Sequence, residues 1–103
     1  MSKRLEMLEK MTSAGSRDPF AWYALAMEYA ALTRIDDAIR TFEALRTIDD
    51  NYVPMYLMSG TTLIKAGRTE EARSWLTCGI EKARAKGDTH ALSELEHLLS
   101  ETL

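Results

Sequence analysis

The sequence has few of the residues that interrupt helices or cross-link chains: its 103 positions include two prolines, five glycines and one cysteine. Because Cys78 is the only cysteine, an internal disulfide is excluded. Scarce proline and glycine, beside abundant alanine, leucine and glutamate, favour helices over strands. We therefore expect an all-α chain without a sheet.

Long apolar runs and an excess of one charge are also missing. No window approaches the roughly 20 apolar residues that a membrane-crossing helix needs, so we expect no membrane partner. The formal net charge is −3 with both signs interspersed. This pattern lacks the broad positive field that concentrates nucleic acid, and we expect no nucleic-acid partner. A charged amphipathic N-terminus in place of an apolar signal core, together with the single cysteine, predicts a cytoplasmic protein.

Apolar residues at helical spacing, separated by turn-forming residues, predict about six helices in a single domain. In the first helix Leu5, Leu8 and Met11 share one face, which predicts that these three side chains are buried. The expected segments of the domain 1–103 are an N-terminal helix at 3–14, a first hairpin at 19–52, a second hairpin at 53–86 and a C-terminal capping helix at 88–101.

The two hairpin segments are each 34 residues long, and similar residue types recur in them at matching places. The first copy contains Trp22, Leu25, Ala26, Tyr29, Ala38 and Phe42, and the second contains Tyr56, Gly60, Leu63, Ala72 and Leu76. This pattern resembles the W-x2-L-G-x2-Y and A-x3-F signature of the tetratricopeptide repeat (TPR) family. The resemblance implies a short right-handed α-solenoid of antiparallel helical hairpins, in which the large rings fill the core.

Small residues of the pattern imply close helix packing within each hairpin, at Ala26, Ala38, Gly60 and Ala72. The second copy departs from the family pattern at Ser59, where a large apolar residue is usual, and at Gly79, where alanine is usual. At the end of the first copy, Asp50 stands where a proline often ends a repeat. Trp75 replaces Thr41 of the first copy, and we expect this added ring either to pack inside or to form a contact on the outer face.

The resemblance also implies a concave groove lined by the outgoing helix of each hairpin. We expect this mostly apolar groove to bind a helix or peptide of a protein partner, without catalysis. A basic and amide clamp for chaperone tails is missing, because the matching positions hold Tyr23, Met27 and Met58. The candidate partner-binding residues are Phe20, Tyr23, Met27, Leu57, Met58, Thr61 and Lys65.

An alternative is a self-assembling structural unit, a homodimer in which a second copy closes the groove. Large apolar patches seldom stay bare, so a flanking helix could also cover this surface. The sequence leaves these possibilities open.

Residues that could carry chemistry are few. His90, Glu94 and His97 share one face of the last helix and could offer metal ligands, but a solvated polar face has the same spacing, and we expect no metal. Cys78 has no nearby base in the sequence and is expected to be structural. The acidic pairs at helix starts suit the helix dipole better than a calcium loop. We expect no enzyme activity and no cofactor.

Overall fold

The computed structural model describes residues 2–103, which form six α-helices and no strand, so the all-α prediction is confirmed. No helix in this part of the chain is long and apolar enough to cross a membrane. The chain divides into two compact units, one ending at Asp50 and one beginning at Asn51, and the single domain stays a prediction. The helices are α1 (Lys3–Ser13), α2 (Pro19–Ala31), α3 (Ile35–Ile48), α4 (Val53–Lys65), α5 (Thr69–Lys86) and α6 (Thr89–Ser100).

Side-chain caps fix the starts of the first two helices. The Ser2 hydroxyl accepts a hydrogen bond from the Leu5 amide, and Asp18 accepts one from the Phe20 amide at 3.0 Å. Pro19 occupies the first turn of α2, where a missing N–H costs no helical hydrogen bond. Both caps satisfy amides that a helix start otherwise leaves without partners.

In the first unit, α1 packs against α2 through a small apolar cluster. Leu5 and Leu8 are buried there, but Met11 is 43% exposed, so the prediction that Met11 is buried is wrong. Thr12 is buried in its place, and its hydroxyl donates to the Leu8 carbonyl at 3.0 Å. The buried positions on α1 therefore follow the spacing i, i+3, i+7, and a polar residue can fill the last because its own helix satisfies it.

Polar side chains hold the edge of the same contact. The Tyr29 hydroxyl donates to Glu9 at 2.5 Å, and Glu28 pairs with Arg4 at 3.3 Å and accepts from the Ser2 hydroxyl at 3.2 Å. Burial and the hydrogen bond to Glu9 raise the pKa of Tyr29 to about 12. Helices α1 and α2 are thus joined by a narrow apolar centre and a polar margin.

The hairpin of α2 and α3 is closed by small residues and one large ring. Ala26, Ala38 and Phe42 are fully buried. The turn between the helices contains Thr33 at φ 60°, a left-handed conformation that a β-branched residue seldom adopts. In the second hairpin the position 34 residues later is Gly67, at φ 76°.

The hairpin of α4 and α5 in the second unit has an even closer contact. A Cβ built on Gly60 would lie 2.4 Å from a methyl carbon of Leu76, so any larger residue there would require the Leu76 side chain to move. The α4 helix begins at Val53, and Pro54 is accepted in its first turn because a missing N–H costs no helical hydrogen bond there. Ser59 is fully buried, and its hydroxyl donates to the Tyr56 carbonyl at 3.2 Å.

Helix α6 is seated against α5 at Gly79. A Cβ there would lie 2.5 Å from the Tyr56 Cβ and 3.1 Å from a Leu95 methyl, so α4, α5 and α6 meet at this glycine. Trp75 is buried at 6% exposure, and its ring centroid lies 6.1 Å from that of Tyr56. Trp75 is therefore an interior residue and not an outer contact.

Candidate functional site

The second unit contains an open groove between α4 and α6 with a volume of about 530 Å³. The two helices present different chemistry to it, one apolar and one titratable. The groove is lined from α4 by Leu57, Met58 and Thr61, and from α6 by His90, Ser93, Glu94, His97 and Leu98.

The α4 wall is apolar and half-exposed. Leu57, Met58 and Thr61 are each of intermediate exposure, so they offer surface that a ligand could bury. The Thr61 hydroxyl donates to the Leu57 carbonyl at 2.8 Å, which uses its donor inside the helix. Leu57 and Met58 supply most of the remaining contact surface, and methionine adapts its shape to varied partners.

Lys65 lies on the same helical face as Leu57 and Thr61, two turns beyond Leu57, or about 12 Å along the axis. It is exposed and lies in the last turn of α4, but it is not among the residues that line the groove. Three of the four candidate residues of the second unit therefore meet in one groove, with Lys65 further along α4.

The α6 wall is built from histidine and glutamate pairs. His90 Nε2 lies 2.6 Å from a Glu94 carboxylate oxygen, and His97 Nε2 lies 3.3 Å from one of Glu101. Among residues 2–103, no three histidine, cysteine or acidic side chains are placed to hold a metal ion. The spacing of His90, Glu94 and His97 accordingly produces one wall of a groove, with each histidine beside a carboxylate.

The other three candidate residues lie on α2 in the first unit. Phe20 is 60% exposed, while Tyr23 and Met27 are half-buried. Helical spacing places all three within one sector of α2. Exposed Phe20 is the largest apolar side chain available for a contact on this helix, and Tyr23 already takes part in an interaction within the chain.

One acid of each pair at the starts of α3 and α5 is bound by arginine. Arg34 binds Asp37 at 2.8 Å, and its counterpart Arg68 binds Glu71 at 2.8 Å. Hydrogen bonds from Arg40 and then from Arg34 hold the pKa of Asp37 below its ordinary value. These carboxylates serve as partners of arginine at helix starts, where the dipole also favours negative charge.

Cys78 lies half-buried in a shallow depression that is lined by α5 residues, among them Arg73 and Glu81. Arg73 itself reaches the end of the following helix. Its Nε atom donates to the Thr102 carbonyl and to the Thr102 hydroxyl, each at 3.1 Å, and a terminal nitrogen donates to the same carbonyl. Arg73 thus fastens the C-terminal end of α6, where carbonyls have no helical partners.

The family pattern predicts Leu57, Met58 and Thr61 as partner contacts but assigns no residue of the α6 wall to a binding site. Ser93 and Leu98 are not among the candidate residues, and the spacing of the histidines suggests only metal ligands. A signal was present, since α6 resumes the repeat spacing after an insertion of two residues. An outgoing helix at that place would stand beside α4 and share its groove.

Neither a scan against protein-family models nor a search of curated proteins gives a match. Solved structures do. A tetratricopeptide repeat domain protein from Salinibacter ruber is 35% identical in sequence, with a TM-score of 0.73 to its crystal structure, and the match covers 82% of this chain and 96% of that one. A protein from Bordetella parapertussis is 26% identical with a TM-score of 0.83, over 99% of this chain and 89% of that one.

The TPR2B domain of yeast Sti1, solved in a complex with pHsp70, has a TM-score of 0.85 at 18% identity, covering 95% of this chain and 78% of that one. This third likeness concerns the fold alone. The family rests on the Salinibacter protein, because identity and coverage are both high there. The chain belongs to the tetratricopeptide repeat family.

Proposed function

We propose that this chain is a protein-interaction module that binds a helix or peptide in the groove between α4 and α6. The observation that carries the proposal is the half-exposed apolar wall of Leu57 and Met58, which lies open beside α6. Membership of the TPR family supports an interaction module. The Sti1 domain is an example of the fold with a bound partner, although its partner is a property of that protein.

The proposed mechanism is recognition without turnover. The Gly60 and Gly79 contacts hold α4 and α6 in fixed positions, so little ordering cost remains when a ligand binds. A partner would bury its apolar side chains on Leu57, Met58 and Leu98, which removes apolar surface from water. Lys65, further along α4, would pair with an acidic group of the partner at the rim.

The sector of α2 with Phe20, Tyr23 and Met27 is proposed as a contact surface of the first unit. Its support is exposure, since Phe20 stands 60% open and Met27 half-open. We also propose a cytoplasmic location, supported by a single free cysteine that leaves no internal disulfide to form. Fractionation of cells that express the chain tests that location.

The test uses fluorescent model peptides that form amphipathic helices, with leucine on one face and either lysine or glutamate on the other. At least one should bind, and Leu57→Glu should weaken it at least about tenfold, because a carboxylate in an apolar contact is desolvated without a partner. Met27→Glu tests the α2 surface in the same way. Met7→Glu is the control, because Met7 is 52% exposed on α1 and is not a candidate residue.

Circular dichroism must show unchanged helicity in every variant. If affinity for all peptides survives Leu57→Glu, the groove is not the binding site. If no peptide binds the unaltered protein, the proposal for this groove is wrong. Loss with Met27→Glu alone would move the site to the first unit.

Self-association is the second candidate function, favoured by exposed apolar side chains of the first unit. They are Met7, Met11, Phe20 and Leu32, with exposures from 43% to 60%. A homodimer would bury such residues. Molecular mass measured over about a hundredfold range of concentration should rise towards twice the monomer mass, and a constant monomer mass would contradict the dimer.

A further inference from the structure

Few of the residues that line the α4–α6 groove can carry a charge. Of its eight lining residues, the ionisable ones are His90, Glu94 and His97, and all three lie on α6. His90 and His97 are also the only two histidines of the sequence. Any effect of pH on the protein between about 5.5 and 7.5 that arises from imidazole protonation must therefore act at this wall.

We infer that the groove prefers a partner segment that carries a lysine or arginine beside its apolar face, and that acidification weakens the complex. The inference rests on the proposed function, because it names the partner chemistry of the same groove. The partner's cation would pair with Glu94 while its apolar side chains contact Leu57 and Met58. A neutral His90 can donate one N–H to Glu94 and still leave the carboxylate its negative charge.

Protonation of His90 would remove this preference. An imidazolium at 2.6 Å neutralises Glu94, so a partner cation would meet a balanced pair instead of a free carboxylate. His97 would pair with Glu101 in the same way at 3.3 Å. With both histidines protonated, the carboxylates of Glu94 and Glu101 would each be balanced by an imidazolium.

Other charged groups around α6 do not replace this effect. Lys65 is the only charged residue of α4, and it stands beyond the lining residues. From α5, Arg84 lies 3.7 Å from Glu96, and Arg73 binds Thr102. At the start of α6, Asp88 accepts from the Ala91 amide. These groups already have partners within the second unit or lie outside the groove.

The test compares the lysine and glutamate model peptides, of equal length and leucine content, at about pH 7.5 and about pH 5.5. The lysine peptide should bind more tightly at the higher pH and lose about threefold in affinity at the lower, as expected for an ion pair at an open site. Glu94→Gln should cause a similar loss at the higher pH and remove most of the pH effect. His90→Gln should also reduce the pH effect, because no imidazole then stands beside Glu94.

A matched control separates the groove from general attraction of a cationic peptide to an acidic protein. Glu81→Gln removes the same charge from an exposed position of α5 that does not line the groove, and it should leave the affinity for the lysine peptide unchanged. Equal losses with Glu81→Gln and Glu94→Gln would overturn the inference, since the attraction would then be unspecific.

Failure of the inference is distinguishable from failure of the proposed function. If both peptides bind equally at each pH and Leu57→Glu still abolishes binding, the groove binds partners but has no preference for cations. If the glutamate peptide binds more tightly at the higher pH, the preference is opposite to the one inferred. If Leu57→Glu has no effect on either peptide, both the groove and its preference are wrong.

Discussion

Large and small side chains occupy different ones of the matching positions in the two hairpins. On α3 of the first unit a small Thr41 is followed one turn later by a fully buried Leu45. On α5 of the second unit the same places hold a large Trp75 and then Gly79. Both arrangements belong to a packed core, but only the second lacks a side chain at the later position, because Gly79 stands there.

The missing side chain determines how the next helix is attached. Leu95 of α6 and Tyr56 of α4 both occupy the space beside Gly79. Among residues 2–50, α1 has no such glycine contact and relies on two leucines and the polar contacts of Glu9 and Glu28. Terminal helices of the same repeat pattern can therefore be attached in different ways. In the second unit α6 packs closely at a glycine, and in the first unit polar side chains hold the margin of α1.

The largest expected effect is a loss of core packing in the first hairpin. Phe42→Ala should reduce the free energy of unfolding by about 3–5 kcal/mol, because a fully buried ring is replaced by a cavity. Trp22→Ala should cost less, since Trp22 is half-buried and its indole N–H bonds the Ser16 carbonyl at 2.7 Å. Urea unfolding measures both. The control is Phe20→Ala, an exposed ring, and a Phe42→Ala loss below about 1 kcal/mol would contradict the repeat alignment.

The next effect tests the seat of α6. Gly79→Ala should destabilise the second unit by about 1–3 kcal/mol despite the better helix propensity of alanine, because the new Cβ meets the Tyr56 Cβ, which is fixed to its backbone. Gly60→Ala should cost less, since the clashing atoms belong to the Leu76 side chain, which can change rotamer. Equal stability of Gly79→Ala and the unaltered protein would show that α6 is not seated at this glycine.

A smaller effect is expected at the C-terminal end of α6. Arg73→Met keeps the aliphatic stem but removes the hydrogen bonds to Thr102, and we expect a loss of about 1 kcal/mol. Amide hydrogen exchange should show faster exchange in the last turn of α6. Arg84→Met is the comparison, because its ion pair with Glu96 is exposed and 3.7 Å long, and it should change stability little.

The smallest effect concerns the polar margin of α1. Tyr29→Phe should cost about 0.5–1.5 kcal/mol near neutral pH by removing the hydrogen bond to Glu9. The folded protein raises the pKa of Tyr29 from 10.0 to about 12. The stability gained from the neutral phenol is therefore complete below pH 10 and is lost as pH rises towards about 12.

The unaltered protein and Tyr29→Phe should accordingly converge in stability over that alkaline range. Lysines titrate there too, but they are common to both proteins and cancel in the difference. If the difference in stability between the two proteins stayed constant with pH, the folded state would not raise the pKa of the Tyr29 phenol.

The features that could be predicted from the sequence are those with a local cause. Capping by Asp18, the helix end at Gly87 and the small residues Ala38 and Ala72 all follow from the chemistry of one turn of chain. Hydrophobic spacing predicts Met11 in the core, but Thr12 is buried there instead. The Thr12 hydroxyl is satisfied by a carbonyl of its own helix, and a pattern of apolar residues does not include such a position.

The candidate site was predictable only in half for a related reason. Leu57, Met58 and Thr61 follow from the repeat pattern, whereas the α6 wall depends on where Leu95 settles beside Gly79. In the sequence, Gly79 is a departure from the family pattern, although the close contact at this glycine positions α6. Contacts between residues that are far apart in the sequence decide such positions, and a single sequence does not reveal those contacts.

The turn at Thr33 has a consequence for anyone who would lengthen this chain by duplication. Threonine at φ 60° holds a backbone state that costs roughly 1–2 kcal/mol for a residue with a Cβ, whereas Gly67 reaches φ 76° without that cost. The second hairpin is therefore the better template for a tandem array, and exchanging Thr33 for glycine should raise the melting temperature of the natural chain.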